Sequence, residues 1–370
     1  MRIGLIGAGR IGTFHATTLS RHRDVGSLII TDVDRARAHD LAERLGETVA
    51  PGVDEIFTWG VDAVVITAAT SAHGELIGRA ARSGLPVFCE KPIAVDLPNT
   101  LNALTEVDAA GTVLQMGFQR RFDSGYVTAR EAVRAGRLGR LHTVRALTAD
   151  RTPPPAAYLP VSGGIYRDTL IHDFDIVRWV TGREVTTVYA TGSDAGHPMF
   201  REAHDLDTAA ALLTLEDGTL VTATAARVNG AGYDVRLELA GELDTVVVGL
   251  DDRTPVASTE PKGPPPADKP WTGFLERFAA AYEAEIGAFV EVVRGERANP
   301  CDGREALQAL RVAEACELSR LENRPVNLGE IAGVGSSGLP PACGVRSVRG
   351  LVPCRGRGSG GGWSRSSPRP

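Results

Sequence analysis

The segment Gly7-Ala8-Gly9-Arg10-Ile11-Gly12 limits what this chain can fold into more than any other feature. It fits a G-x-G-x-x-G pattern, follows the apolar run Ile3-Gly4-Leu5-Ile6 and opens a helix-period segment. In that context each glycine has its own task. Gly7 allows the tight turn, Gly9 lets the backbone approach a pyrophosphate, and Gly12 lets the helix pack close to the sheet. Arg10 and Ile11 lie in the same turn, where a helix N-terminus offers unpaired N–H groups to phosphate oxygens. The second apolar run ends at Asp32, 20 residues beyond Gly12. A carboxylate there accepts ribose hydroxyls and repels a 2′-phosphate, which favours NAD over NADP, although Arg35 and Arg37 just beyond it oppose that preference.

Up to about residue 120, short β-branched runs (2–6, 27–31, 63–67, 86–89, 113–116) alternate with helix-period segments (11–21, 34–45, 73–83, 98–110). Strand, helix, strand at this spacing predicts βαβ units and a parallel Rossmann sheet. Beyond it, strand candidates come in runs (141–148, 184–191, 208–214, 219–227, 235–240, 244–249), separated by turn dipeptides such as Asp217-Gly218. Helix candidates at 168–180, 274–294 and 304–322 flank them, and the Pro-rich 254–270 stretch reads as a loop. The expected fold class is therefore α/β. A Rossmann domain over 1–120 is followed by an α+β domain with an open antiparallel sheet over 121–330. An open apolar sheet face invites a subunit interface. A chain of 370 residues suits two such domains.

The residues from Val334 on hold six Arg and no acid, and 331–370 reads as a disordered basic tail. Without those arginines the net charge of −6 becomes −12, which speaks against a nucleic-acid partner. No apolar run is long enough to cross a membrane and the N-terminus has no signal-peptide pattern, so no membrane partner is expected. Five cysteines without C-x-x-C spacing suggest reduced thiols in a cytoplasmic protein.

Two stretches carry candidate chemistry. Lysine is scarce: only Lys91, Lys262 and Lys269 occur among 40 basic residues. Lys91 follows Pro86-Val87-Phe88-Cys89-Glu90, at the carboxyl end of a parallel strand, where open α/β sheets bind ligands. A surface lysine at a strand end would look the same. The second stretch is Arg167-Asp168-Thr169-Leu170-Ile171-His172-Asp173-Phe174-Asp175. On a regular helix Asp168, His172 and Asp175 share one face, and a carboxylate one turn away orients an imidazole that works as acid or base. The same three residues invite comparison with a metal site, but no further ligand falls at suitable spacing and no metal is expected. His73, with Ser71 before it, opens a helix at another strand end and is a candidate for cofactor contact.

With Gly7–Gly12, the tripeptide Glu90-Lys91-Pro92 and the Asp168-x-x-x-His172 helix, the chain resembles the Gfo/Idh/MocA oxidoreductases over about residues 1–328. Within them, Gly117-Phe118-Gln119-Arg120-Arg121-Phe122-Asp123, the 167–175 stretch and Gly232-Tyr233-Asp234 look like the inositol 2-dehydrogenase branch. The resemblance implies an NAD-dependent oxidation of myo-inositol to scyllo-inosose by a homotetramer. It implies Lys91, Asp168 and His172 as the catalytic set and Glu90 beside the cofactor. Arg120, Thr169, Asp175 and Tyr233 become polyol contacts. Ser71-Ala72-His73 departs from the turn usual in the family. A dehydrogenase of another cyclitol or sugar, an NAD-dependent glycoside hydrolase, and a cofactor-binding scaffold without turnover are the competing expectations.

Overall fold

The computed structural model describes residues 1–331; the expected disordered tail, with Cys343 and Cys354, lies outside them. The first half runs β1 (Arg2–Ile6), α1 (Arg10–Ser20), β2 (Ser27–Thr31), α2 (Arg35–Leu45), β3 (Thr48–Val49), α3 (Val53–Thr58), β4 (Ala63–Ile66), α4 (Thr70–Arg82), β5 (Val87–Glu90), α5 (Leu97–Ala110) and β6 (Leu114–Gly117). The six strands are all parallel, in the order β3-β2-β1-β4-β5-β6. The order reverses beside β1, which opens a crevice at the carboxyl ends of β1 and β4. Ile3, Leu5, Leu28, Ile30 and Val65 face α1 and α2, while Ile6, Ile29, Val64 and Ile66 face the α3–α5 side. Strands buried on both faces explain the continuous apolar runs.

The second half runs α6 (Ser124–Arg134), β7 (Leu141–Ala149), α7 (Ile171–Thr181), β8 (Val185–Ser193), α8 (Pro198–Glu202), β9 (Thr208–Leu215), β10 (Leu220–Ala226), β11 (Asp234–Gly241), β12 (Thr245–Val248), α9 (Phe274–Arg277), α10 (Ala279–Val293), α11 (Gly303–Glu322) and β13 (Val326–Asn327). Its seven strands lie in the order β12-β11-β7-β10-β9-β8-β13. The sheet is antiparallel except where β7 and β10 run parallel, so it is mixed. α3, α6 and α8 are short or polar-rich helices that periodicity left unassigned, and the expected 274–294 helix breaks at Phe278.

Two late helices tie the sheets together. α10 places Ala281 and Tyr282 in the second sheet's core but Ile286, Phe289 and Val290 against Phe88 and the first sheet. α11 divides likewise: Ala306, Ala309 and Leu310 pack with the first sheet, Val312, Ala313 and Cys316 with the second.

Candidate active site

The glycine turn has the geometry its sequence suggests. Gly7 has φ +107°, and a Cβ on it would stand 2.6 Å from the Ala68 backbone nitrogen. A Cβ on Gly12 would collide with the Gly7 carbonyl, whereas Gly9 faces open space. The Thr67 hydroxyl donates to the Gly7 carbonyl oxygen at 2.6 Å and fixes the turn from β4. Asp32 accepts from the Ala8 N–H (2.6 Å) and the Asp34 N–H (2.8 Å), so it braces the loop at the ribose end of the crevice. Arg37 stands 3.9 Å from it. Exposed Arg10 leans over the Phe274 ring at 4.9 Å, and Ile11 packs against the second sheet's core. A bare Gly9 N–H at a helix start, a sealed turn behind it and a strand-end carboxylate together fit a dinucleotide.

Ser71 is exposed in the first turn of α4. His73 is not available to the cofactor as expected. It is buried, with Nδ1 2.8 Å from the Pro92 carbonyl and Nε2 3.0 Å from the Ala68 carbonyl. Its ring staples α4 to the loop after Lys91. Glu90 also departs from expectation. Its carboxylate turns inward, to His15 Nε2 at 2.8 Å, leaving little of the side chain for the cofactor.

Lys91 and Asp168 meet. The ammonium donates to the Asp168 carbonyl (2.7 Å) and to Oδ1 (3.2 Å). Asp168 also accepts from Tyr158 (2.9 Å) and from Arg227 (2.7 Å). Burial raises the Asp168 pKa, but Lys91 and Arg227 outweigh it, and the carboxyl sits below its ordinary range. Arg227, itself buried, is shared with Asp205 (3.1 Å). Sequence reasoning did not find Tyr158 or Arg227. One lies in a Pro-rich loop and the other just past a strand, and neither falls in a local pattern.

The expected Asp168–His172 pairing does not form. Residues Tyr166–Leu170 make one turn of π-helix before α7, and a π turn bonds i to i+5, so residues four apart no longer stack. His172 is held instead by packing, its ring edge-on to Phe118 at 5.9 Å. Nδ1 is buried without a partner, and the ring makes no hydrogen bond among the described residues. Burial, then the positive charges of Lys91 and Arg120, push its pKa well below 6.5. A neutral imidazole between cations is a proton acceptor in waiting.

Two expected polyol contacts are corrected. Asp175 is wholly buried and clasped by Arg121 at 2.9 and 2.5 Å, and Arg121 Nη2 is shared with Glu305 at 2.9 Å. Arg120 is buried too, donating to Asp173 (2.7 Å) and Thr148 (2.8 Å), so it acts on the site through its charge. Thr169 and Tyr233 are both largely buried, and neither hydroxyl is among the fully enclosed, unpaired polar atoms of the described residues. Burial raises the Tyr233 phenol, which therefore stays protonated. Asp150, just past β7, is a further candidate. Its carboxyl has no partner among the described residues, and burial, partly offset by Arg227, raises it to about 6.

Known proteins resemble this chain over most of its length. Residues 1–118 match the model of the oxidoreductase family with an NAD-binding Rossmann fold, and residues 126–247 match the GFO/IDH/MocA C-terminal domain. The chain is 39% identical over 325 residues to the myo-inositol dehydrogenase Hyg17 of Streptomyces leeuwenhoekii, covering 86% of this chain and 97% of that one. It is 35% identical to the myo-inositol 2-dehydrogenase of Thermotoga maritima, covering 90% and 100%. The structure of a Lactobacillus casei scyllo-inositol dehydrogenase with NAD(H) and scyllo-inositol superposes with a TM-score of 0.81 at 29% identity, covering 89% and 99%. The chain belongs to the Gfo/Idh/MocA family of NAD-binding oxidoreductases.

Proposed function

We propose that this enzyme oxidises myo-inositol with NAD, converting the secondary alcohol at one ring carbon to the ketone scyllo-inosose. The observation that carries the reading is the meeting of Lys91 with Asp168 beside an unpaired, neutral His172. The inositol dehydrogenases among the relatives support the substrate class.

The backbone of Gly9, Arg10 and Ile11 would hold the pyrophosphate and Asp32 the ribose. When bound, NAD supplies the hydride acceptor. His172 accepts the hydroxyl proton at Nε2, the nitrogen not sealed by the core, with Nδ1 keeping the ring's own proton. Lys91 donates to the same oxygen and stabilises its developing negative charge. Asp168, itself oriented by Arg227 and Tyr158, holds the ammonium in place. Asp150, Thr169 and Tyr233 would orient the ring hydroxyls, Asp150 as acceptor and Tyr233 as donor; such positioning supplies several kcal/mol of rate enhancement.

The second sheet carries a row of outward side chains in register, Val247, Glu238, Arg145, Thr222, Leu212 and Tyr189. Leu212 and Tyr189 are exposed there, and this face suits the subunit contacts of a homotetramer. A cytoplasmic location fits the buried free thiols of Cys89, Cys301 and Cys316. Among the described residues no helix is long and apolar enough to cross a membrane.

A panel of cyclitols, aldoses and aryl glycosides with NAD⁺ and NADP⁺ tests the reading by NADH absorbance. Myo-inositol should give the highest kcat/KM, with NADH accumulating in step with ketone. A preference for scyllo-inositol would move the substrate within its class. Glycoside cleavage without net NADH would replace the reading with a hydrolase.

A further inference from the structure

Behind the site lies a sealed cluster that the proposed chemistry does not use. His15 of α1, Glu90 at the end of β5 and Glu285 of α10 place one ligand atom each within 4.8 Å of one another. His15 and Glu285 have no solvent exposure, and neither oxygen of Glu285 has a hydrogen-bond partner among the described residues. Gly117 makes room for the cluster, since a Cβ there would stand 3.0 Å from the Glu90 carboxylate. The walls are aromatic: Phe88 and Tyr282 meet the His15 ring at 5.2 and 5.8 Å.

Two carboxylates this close in an apolar cage do not both ionise. Burial first, then the charges of Glu90 and Asp175, drive Glu285 well above the usual carboxylate range. The other ionisable groups facing the cluster are Tyr282 on α10, Asp175 on α7 and Cys301 before α11, with Cys89 on β5 and the buried imidazole of His73, its pKa lowered by burial, on the Glu90 side. None of them is a cation, and Arg121 is committed to Asp175 and Glu305. With His15 Nε2 set against the Glu90 carboxylate, the protonated carboxyl of Glu285 and the phenol of Tyr282 are the neutral donors left to face it.

We propose that Glu285 is a positioning residue that works as a neutral acid, closing with His15 a cage that keeps the Glu90 carboxylate turned away from its neighbour Lys91. Without the cage, Glu90 is free to swing into the crevice and compete with Asp168 for the ammonium. The device reaches the active site from a helix far along the chain.

The kinetic arm of the test rests on Lys91 acting at the reacting oxygen; the spectroscopic arm needs no substrate, so the two ideas fail separately. Wild-type protein carrying carbon-13-labelled glutamate should show, at pH ~8, the infrared carbonyl band of a protonated glutamic acid. Glu285→Gln should remove the band while keeping kcat and its pH profile within about twofold of wild type, because the amide retains a donor. Glu285→Ala should lower kcat about tenfold with NAD affinity little changed, the split that marks lost positioning. The proposal is overturned if wild type lacks the band, if Glu285→Gln retains it, or if Gln and Ala variants are equally impaired. Stoichiometric divalent metal in the purified wild type, lost in Glu285→Gln, would overturn it in favour of a metal site. An absent wild-type band overturns the proposal even if a variant does not fold.

Discussion

Asp150 offers the sharpest quantitative test, because its environment opposes the form it must take at neutral pH. Its N–H is anchored to the Ala226 carbonyl at 2.9 Å, next to Arg227, while its carboxyl lacks any partner among the described residues. Burial raises its pKa from 3.8 to about 6, with Asp168 adding to the rise and Arg227 and Lys91 opposing it. Between those values the folded protein binds more protons than the unfolded chain. Stability therefore falls as pH rises through this window, and the full penalty, about 3 kcal/mol, is present above it. Asparagine keeps the shape and removes the ionisation. Asp150→Asn should thus be more stable than the parent by up to about 3 kcal/mol at pH ~8, by about half of that at pH ~5, and by little below the unfolded pKa. Urea unfolding of both proteins across this range measures the gap. A gap of constant size, or a variant less stable than the parent at pH ~8, would refute the reasoning. The same variant should raise KM for the polyol if the carboxylate accepts a ring hydroxyl, which would exchange stability for function.

Other outcomes follow from the same geometry. His172→Ala should lower kcat by ~10²–10⁴ with NAD binding retained, measured by steady-state kinetics and NADH fluorescence. Because His172 titrates well below 6.5, it stays basic across neutral pH, so its acid limb lies below that value. A limb near pH 6 belongs to Asp150 and should vanish in Asp150→Asn. Asp32→Ala should weaken NAD binding and narrow the gap to NADP, since Arg37 then faces the ribose without a competing carboxylate; an unchanged ratio of the two affinities removes Asp32 from the ribose site. Arg121→Met strands the buried Asp175 charge and should cost about 3–5 kcal/mol in urea unfolding, whereas Asp175 as a polyol contact would make the change chiefly kinetic.

The Rossmann half was legible because its signals are local. A glycine turn between a strand and a helix, repeated apolar runs and a strand-end acid each lie within a few residues of one another. Lys91 was legible for a different reason, its rarity in an arginine-rich chain. What escaped was set by tertiary geometry. The π turn at Tyr166–Leu170 leaves no mark in residue spacing, and it offsets Asp168 from His172, while the clasp of Asp175 by Arg121 depends on a residue 54 positions away. His73 and Glu90 sit at strand ends, as a cofactor contact would, yet each found a partner nearer to hand, in the Pro92 carbonyl and in His15. Arg227 joins the site because β10 runs parallel to β7, bringing its end beside Asp150, a pairing that alternation of apolar residues does not encode.

The way α10 and α11 straddle both sheets bears on how the polypeptide is made. A ribosome completes β6 long before either helix emerges. Until then Phe88 lacks Phe289 and Val290, and the opposite layer lacks Ala309 and Leu310. The nascent nucleotide-binding half therefore waits with greasy flanks bare, a natural client for chaperones. A gene fragment that stops near residue 120 yields a sticky intermediate rather than a portable module.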